Sequence, residues 1–132
     1  MKATTDWAPS WPVGHLFDGN EQSSWYSNTP DSTMNEEKPA VTVTFPDDVK
    51  IKRVTVLGNR DPQYPTGYFV TEGTVELLDG KGKVISSHEL KSAGDKHDFD
   101  LILDKFVSVR AVRFKMTKSE NGYCGLSEFM VE

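Results

Sequence analysis

Alternation of apolar and polar residues is the clearest pattern in the chain, and it predicts β-strands. In residues 40–45 (AVTVTF) Val41, Val43 and Phe45 fall on one face and the threonines on the other, which is typical of a half-buried strand. Residues 51–58 alternate in a similar way, and residues 97–103 place Phe99, Leu101 and Leu103 inward. No window combines helical period with helical length, so the pattern predicts an all-β domain.

Turn signals divide these segments. Asp79–Gly82 (DGKG) lies between two apolar-rich runs, 73–78 and 83–90, and predicts a β-hairpin. Pro46–Asp48 predicts a turn between the strands on either side of it. In residues 106–117 the apolar parity changes at Ala111–Val112, which predicts either a bulge or a strand that is crowded on both faces.

Long polar segments complete the pattern. The sequence predicts surface loops at residues 28–39 and 118–123. It predicts a last strand at residues 124–131. Residues 59–70 are too polar for a core and too aromatic for a linker. About eight short strands joined by such loops predict an antiparallel β-sandwich.

Composition narrows the function classes. The chain has 132 residues, the size of one domain, and its net charge of −5 with dispersed basic residues argues against nucleic acid. No apolar run is long enough to span a bilayer, and residues 1–6 lack the apolar centre of a signal peptide. The single cysteine, Cys124, cannot form an internal disulfide and is interpreted as a small buried hydrophobe. Either the protein is cytoplasmic or residues 1–132 are one module of a larger protein, and we expect the second.

The stretch from Leu16 to Ser27 (LFDGNEQSSWYS) concentrates oxygen donors and aromatic side chains. Its Asp18–Gly19–Asn20 core can be read in two ways. It is either a simple Asx-type turn or a corner anchored by a cation, for which the rest of the chain would have to supply the missing ligands. Trp25 is assigned to the core, whereas Trp7 and Trp11 either plug the end of the sandwich or serve as ligand platforms.

Three motifs carry a family resemblance. They are L-F-D-G-N-x-x-S-x-W at 16–25, an arginine-bearing loop after a V-T-V-L strand, and G-L-S-E-F-M-V at 125–131. Together they resemble the discoidin, or coagulation-factor C-type, galactose-binding-like domain, and most closely the family-32 carbohydrate-binding modules of secreted bacterial glycoside hydrolases. The resemblance implies an eight-stranded antiparallel jelly-roll β-sandwich that spans residues 1–132 as a single carbohydrate-binding-module-like domain.

The resemblance also implies a structural calcium ion. Calcium prefers 6–8 oxygen ligands, mixing carboxylates with backbone carbonyls. Ser23 stands where the family more often has threonine. The ligands implied by position are His15, Asp18, Asn20, Ser23, Ser127 and Glu128.

A shallow sugar site on the loops is implied in the same way, with an aromatic ring to stack on the sugar and charged or amide groups for its hydroxyls. Galactose-binding members commonly place histidine where this chain has Tyr26, so galactose specificity is not carried over. Two of the residues have alternatives: Arg60 either contacts ligand or braces its loop against Asp61, and Tyr123 either contacts ligand or caps the core. The implied sugar-site residues are Tyr26, Asn28, Arg60, Asp61, Tyr64, Asn121 and Tyr123.

The function expected is therefore a non-catalytic carbohydrate-binding module that targets a parent glycoside hydrolase, such as a hexosaminidase or chitobiase, to glycans. The alternative is a protein-interaction or cell-surface adhesion domain on the same fold that binds no sugar. Lipid binding is disfavoured by the negative charge. An enzyme is disfavoured because the short spacing of His15, Asp18 and Ser23 on one turn does not by itself give a base poised on a nucleophile. We expect a monomer without membrane insertion, located outside the cell, in the periplasm or on the cell surface.

Overall fold

The computed structural model describes residues 2–3, 16, 19, 25–26, 38–60, 69–120 and 124–132. The described residues form strands and connecting turns, without a helix of regular length. No helix among them could cross a membrane. The strands are β1 (Lys2–Ala3), β2 (Trp25–Tyr26), β3 (Ala40–Gly58), β4 (Val70–Leu78), β5 (Val84–Lys91), β6 (Phe99–Ser119) and β7 (Gly125–Val131).

All of the strand pairs are antiparallel. The hydrogen-bonded order is β2-β7-β3-β6-β4-β5, and β1 pairs with β3. The two longest strands, β3 and β6, run beside each other, but their register shifts between Thr44 and Val49 and again between Ile51 and Arg53. These shifts mark the places where the pair bends.

The bend turns the sheet into two packed layers. Phe99 and Phe114 belong to the same strand, yet their ring centroids lie 4.9 Å apart in an edge-on contact. A straight strand would separate them by about 50 Å. Strand β6 therefore folds back, and its two halves face each other across the core as the two layers of a β-sandwich.

One apolar cluster fills the space between the layers. Phe99, Leu101 and Leu103 all point inward, which confirms the alternation predicted for that segment. Trp25 and Cys124 are fully buried, as the sequence predicted for both. Other members of the cluster include Val41, Val54, Val56, Val75, Leu77, Val112, Phe114, Met116, Leu126 and Phe129.

The structure differs from the sequence prediction at the strand boundaries. The turn predicted at Pro46–Asp48 is instead an interruption of pairing inside the continuous strand β3. Proline lacks a backbone N–H and cannot donate to the sheet, so it disturbs the pairing without ending the strand. Ala111 and Val112 are both buried, and the pairing of β6 runs through them without a shift. The parity change therefore marks a strand crowded on both faces.

The predicted hairpin at Asp79–Gly82 is confirmed between β4 and β5. The Asp79 carboxylate accepts hydrogen bonds from the backbone amides of Lys81 and Lys83, each at 2.9 Å. These hydrogen bonds lower the pKa of Asp79. Gly82 has a φ of 80°, a conformation that favours glycine.

Candidate functional site

Several chain segments leave the sheet at the same end. Trp25 and Gly58 both pair with Leu126, and because β2 and β3 are each antiparallel to β7, they run parallel to each other. At one end of the sandwich, therefore, the chain leaves β2 after Tyr26, leaves β3 after Gly58 and enters β7 after Cys124. We call this end of the sandwich the loop end and define it by residues 59–60, 69, 92–98, 120 and 124.

Both ends of β6 also lie at the loop end, because that strand folds back. At its start, the backbone N–H of Gly58 donates to the Asp98 carboxylate at 2.9 Å. Beyond its last residue, the backbone N–H of Glu120 donates to the carbonyl of Phe69 at 3.0 Å. The starts of β4, β6 and β7 thus lie at the same end of the sandwich as the last residue of β3.

A two-point ion pair at the loop end joins Arg60 to Asp98. Nη1 and Nη2 of the guanidinium donate to Oδ1 and Oδ2 of the carboxylate at 2.8 and 2.7 Å, and Nη1 also donates to the carbonyl of Gly58 at 3.2 Å. The two side chains are 21% and 34% exposed. This two-point contact fixes the orientation of the guanidinium plane and also pairs its positive charge with a carboxylate.

Asp98 is the partner that the sequence prediction missed. The bracing alternative for Arg60 had named Asp61, which lies outside the described residues, whereas the structure shows the brace to Asp98 on another element. The signal lay in the pairing of strands: an antiparallel partner of β3 must begin where β3 ends. The residue just before Phe99 was therefore a candidate for contact with Arg60.

The Asp98 carboxyl has a lowered pKa. Partial burial alone would raise this pKa, but hydrogen bonds from Arg60 and from the Gly58 amide, with the charge of Arg60, lower it overall. The pKa of Asp100 is also lowered, chiefly by a hydrogen bond from Arg53. Both carboxyls therefore stabilise the folded state in their ionised form.

We predict that Asp98→Asn reduces the sensitivity of the fold to acid. A carboxyl whose pKa is lower in the folded state stabilises the protein above its unfolded pKa of about 4, and that stabilisation disappears as pH falls through the folded value. Thermal unfolding measured from about pH 6 to about pH 2.5 should show a smaller loss of Tm for the variant than for the wild type. Parallel curves for the two proteins would exclude a stabilising role for the ionised Asp98.

A second group of contacts surrounds His97. Its Nδ1 lies 3.0 Å from the Ser92 hydroxyl, and its ring centroid lies 4.6 Å from that of Phe69. Its Nε2 lies 3.6 Å from Oε1 of Glu120. The imidazole therefore contacts three separate segments of the loop end.

Gly58 allows the turn that contains His97 to approach β3 closely. A Cβ atom built at Gly58 would overlap the carbonyl oxygen of Lys96 and would lie 2.7 Å from that of His97. Only glycine leaves room for this backbone contact. The strand-ending glycine thus brings the 92–98 turn against the first residues of the 59–68 segment.

Two of the six implied calcium ligands are described, and both are buried on β7. Ser127 is fully buried and the residue Glu128 is 5% exposed. Because side chains alternate along a strand, Glu128 projects away from the face on which Phe129 packs into the core, yet it is still covered. The buried Glu128 carboxylate and the neighbouring backbone carbonyl of Ser127 are oxygen ligands of the kind that calcium prefers, so these two residues fit the ion chemically.

The other implied ligands cannot be placed. His15, Asp18, Asn20 and Ser23 lie outside the described residues, although Gly19 between two of them has a φ of 74°, which fits a tight turn. Within the described ranges, no three or more His, Cys, Asp or Glu side chains gather in a way that could hold a metal. The calcium site therefore stays a prediction.

Most of the implied sugar-site residues also lie outside the described ranges. Arg60 lies at the loop end, and at the same end of the sandwich the backbone of Tyr26 pairs with that of Gly125. The remaining five predicted residues are outside the described part of the chain: Asn28, Asp61, Tyr64, Asn121 and Tyr123.

The opposite end of the sandwich, where β3 and β6 bend, has a different character. Phe106 is 62% exposed, and the ammonium of Lys52 lies 5.5 Å from its ring centroid. Nearby, Nε of Arg110 donates to the Asp48 carboxylate at 2.9 Å. We call this the bend end and define it by Asp48, Lys52, Phe106 and Arg110.

The fold is an antiparallel jelly-roll β-sandwich of the galactose-binding-like class, and the Arg60–Asp98 contact lies at its loop end. The family model for the F5/8 type C domain matches residues 1–129. The chain therefore belongs to the F5/8 type C, or discoidin, domain family. No curated protein sequence matches the chain.

Solved structures share this fold at low sequence identity. The chain is similar to the family 32 carbohydrate-binding module of NanJ from C. perfringens, in complex with galactose, with 12% identity and a TM-score of 0.78 over 98% of this chain and 90% of that one. It is similar to CpGH89CBM32-5 from Clostridium perfringens, in complex with GalNAc-β-1,3-galactose, with 14% identity and a TM-score of 0.80 over 98% and 91%. The lectin domain of lectinolysin, complexed with Lewis B antigen, is similar at 15% identity and a TM-score of 0.78 over 99% and 89%.

Proposed function

We propose that this domain is a non-catalytic carbohydrate-binding module that binds glycans at its loop end. The observation that carries the proposal is the Arg60 guanidinium, held in a fixed plane at the meeting point of several loops. Charged planar groups of this kind form strong, directional hydrogen bonds to sugar hydroxyls. Loops on a rigid sandwich are also where binding sites usually occur.

The similar structures support the same class of ligand. Each of the three described above is a complex with a saccharide, and each covers nearly the whole chain. Because their identities to this chain are below 25%, they do not specify which sugar is bound here. Tyr26 stands where galactose-binding members commonly have histidine, so the proposed specificity is for a glycan recognised without that histidine.

The proposed site is expected to bind weakly. A shallow site that contacts one or two sugar rings has a dissociation constant on the order of 0.1–1 mM. Useful retention on a glycan surface would then come from several modules acting together. This fits a domain that holds a parent glycoside hydrolase, such as a hexosaminidase or chitobiase, near its substrate outside the cell, in the periplasm or on the cell surface.

A glycan array tests the proposed function. The domain should bind a restricted group of glycans, and the free saccharide should compete with that binding at millimolar concentration, as a weak single-sugar site requires. The variant Tyr123→Ala should weaken the signal if the aromatic ring stacks on the sugar. An array on which the folded wild-type domain binds no glycan would refute the proposal and favour the protein-interaction or adhesion alternative.

We also propose that a calcium ion ties the N-terminal segment to β7. Glu128 and Ser127, with His15, Asp18, Asn20 and Ser23, would hold it, and the ion would neutralise the buried carboxylate. The backbone pairing of Trp25 with Leu126 supports this arrangement, because it brings the segment after Ser23 beside the segment that contains Ser127. The role of the ion would be structural.

Removal of calcium should therefore destabilise the domain. A ligand bound only by the folded state stabilises it by about 2.7 kcal/mol at a hundredfold excess over its dissociation constant. Scanning calorimetry with and without a chelator should show a lower Tm in the chelated sample, and Glu128→Gln should remove most of that difference. Equal melting temperatures for wild-type protein in calcium and in chelator would contradict the proposed ion.

A further inference from the structure

The turn that precedes β6 contains an unusual backbone conformation. His97 has a φ of 56°, and it is the one non-glycine residue with a positive φ in the described part of the chain. Such a conformation is uncommon outside glycine and persists only where surrounding contacts hold it. Here the backbone N–H of His97 donates a hydrogen bond to the carbonyl of Gly94. The backbones of Ala93 and Asp98 also exchange two N–H to carbonyl hydrogen bonds, at 2.9 and 3.0 Å.

The side chain of His97 attaches this turn to the rest of the loop end. Ser92 lies in the same turn, Phe69 directly precedes β4, and Glu120 directly follows β6. The ring therefore links three chain segments that are far apart in sequence. None of these contacts reaches Arg60 directly, but Asp98 is the next residue along the chain.

Asp98 transmits the position of the turn to Arg60. Its carboxylate accepts a hydrogen bond from the Gly58 amide at 2.9 Å and one from each terminal nitrogen of the Arg60 guanidinium, at 2.8 and 2.7 Å. Because one carboxylate accepts all three hydrogen bonds, a change in its position alters the geometry of each of them. We propose that His97 is a positioning residue for glycan binding, which holds Asp98 in the place where it orients the Arg60 guanidinium. This inference rests on the proposed role of Arg60 in glycan binding.

Three variants test the inference. Glycine adopts a positive φ without steric cost, so His97→Gly removes the imidazole contacts while permitting the native backbone. His97→Asn tolerates the same backbone conformation and retains a side chain able to hydrogen-bond. His88→Ala is the matched control, because His88 on β5 also bonds a serine hydroxyl, that of Ser86, at 3.1 Å.

Calorimetric titration with an array-selected glycan gives the first readout. His97→Gly should raise Kd about fivefold, the effect of one lost hydrogen bond, and His97→Asn should recover part of the affinity. His88→Ala should leave Kd unchanged even if its Tm falls by a similar amount. A wild-type Kd in His97→Gly would overturn the inference, as would an equal loss of affinity in His88→Ala.

The Arg60 side chain provides a second readout that needs no glycan. The Nε–Hε NMR signal of Arg60 should shift in His97→Gly and stay in place in His88→Ala, because His97 directly precedes Asp98, the partner of the guanidinium, whereas His88 lies on β5. An unchanged Arg60 signal in His97→Gly would overturn the positioning role. Failure of the wild-type domain to bind any glycan would instead refute the proposed function, so the two failures can be told apart.

Discussion

Replacing Arg60 by alanine is expected to weaken glycan binding by about 10- to 100-fold, the range for loss of a charge-assisted hydrogen bond. The guanidinium lies at the loop end with its plane held by Asp98, so in the proposed site it would bind a sugar hydroxyl without first losing rotational freedom. Preorganised donors contribute more to affinity than mobile ones. Isothermal titration of the variant with the array-selected glycan measures the loss.

Arg53→Ala is the matched control for this experiment. Arg53 also forms a two-point contact with an aspartate, Asp100, through Nε and Nη2 at 2.9 and 3.0 Å. It lies earlier in β3, about 17 Å along the strand from Gly58, and away from the loop end. Its removal costs an arginine–aspartate pair of the same kind without touching the proposed site. Equal affinities for Arg60→Ala and Arg53→Ala would contradict the assignment of Arg60 to the glycan site.

Replacing Phe114 by alanine is expected to lower the free energy of unfolding by about 3–5 kcal/mol, the usual cost of removing a buried phenylalanine ring. Phe114 is fully buried and packs edge-on against Phe99, so it holds the two halves of β6 together across the core. A Cβ built at Gly73 would lie 2.5 Å from the Phe114 ring, which shows how closely that ring lies against the β4 backbone. The loss should therefore leave a cavity that the backbone cannot easily fill.

Phe106→Ala provides the comparison on the same strand. Phe106 is 62% exposed, and its closest described charge contact is with Lys52. Its replacement should change the free energy of unfolding by less than about 1 kcal/mol. Urea unfolding of both variants decides the matter: similar losses would mean that β6 does not fold back on itself through the Phe99–Phe114 contact.

Local patterns predicted the strands and their inward faces. The alternation at Phe99, Leu101 and Leu103 depends only on the period of two, and all three side chains are buried. The hairpin at Asp79–Gly82 depends on four neighbouring residues, and it too is confirmed. Motifs within a few residues of one another were sufficient for the fold class.

Long-range geometry was harder to predict. Strands β3 and β6 bend together at Pro46–Asp48. This bend depends on pairing between segments that are about sixty residues apart in sequence, which no local motif encodes. The Arg60–Asp98 contact depends on the same pairing. His97 was one of three scattered histidines in the sequence, and only the meeting of three segments gives it a role.

The most direct test of the central claim is an NMR titration of the isotope-labelled domain with its array-selected glycan. Glycan binding at the loop end predicts that the amide shifts concentrate at Asn59, Arg60, His97, Asp98 and Cys124. Shifts concentrated instead around Lys52 and Phe106 at the bend end, or a spectrum unchanged at saturating glycan, would contradict the claim that this domain binds carbohydrate through its loop end.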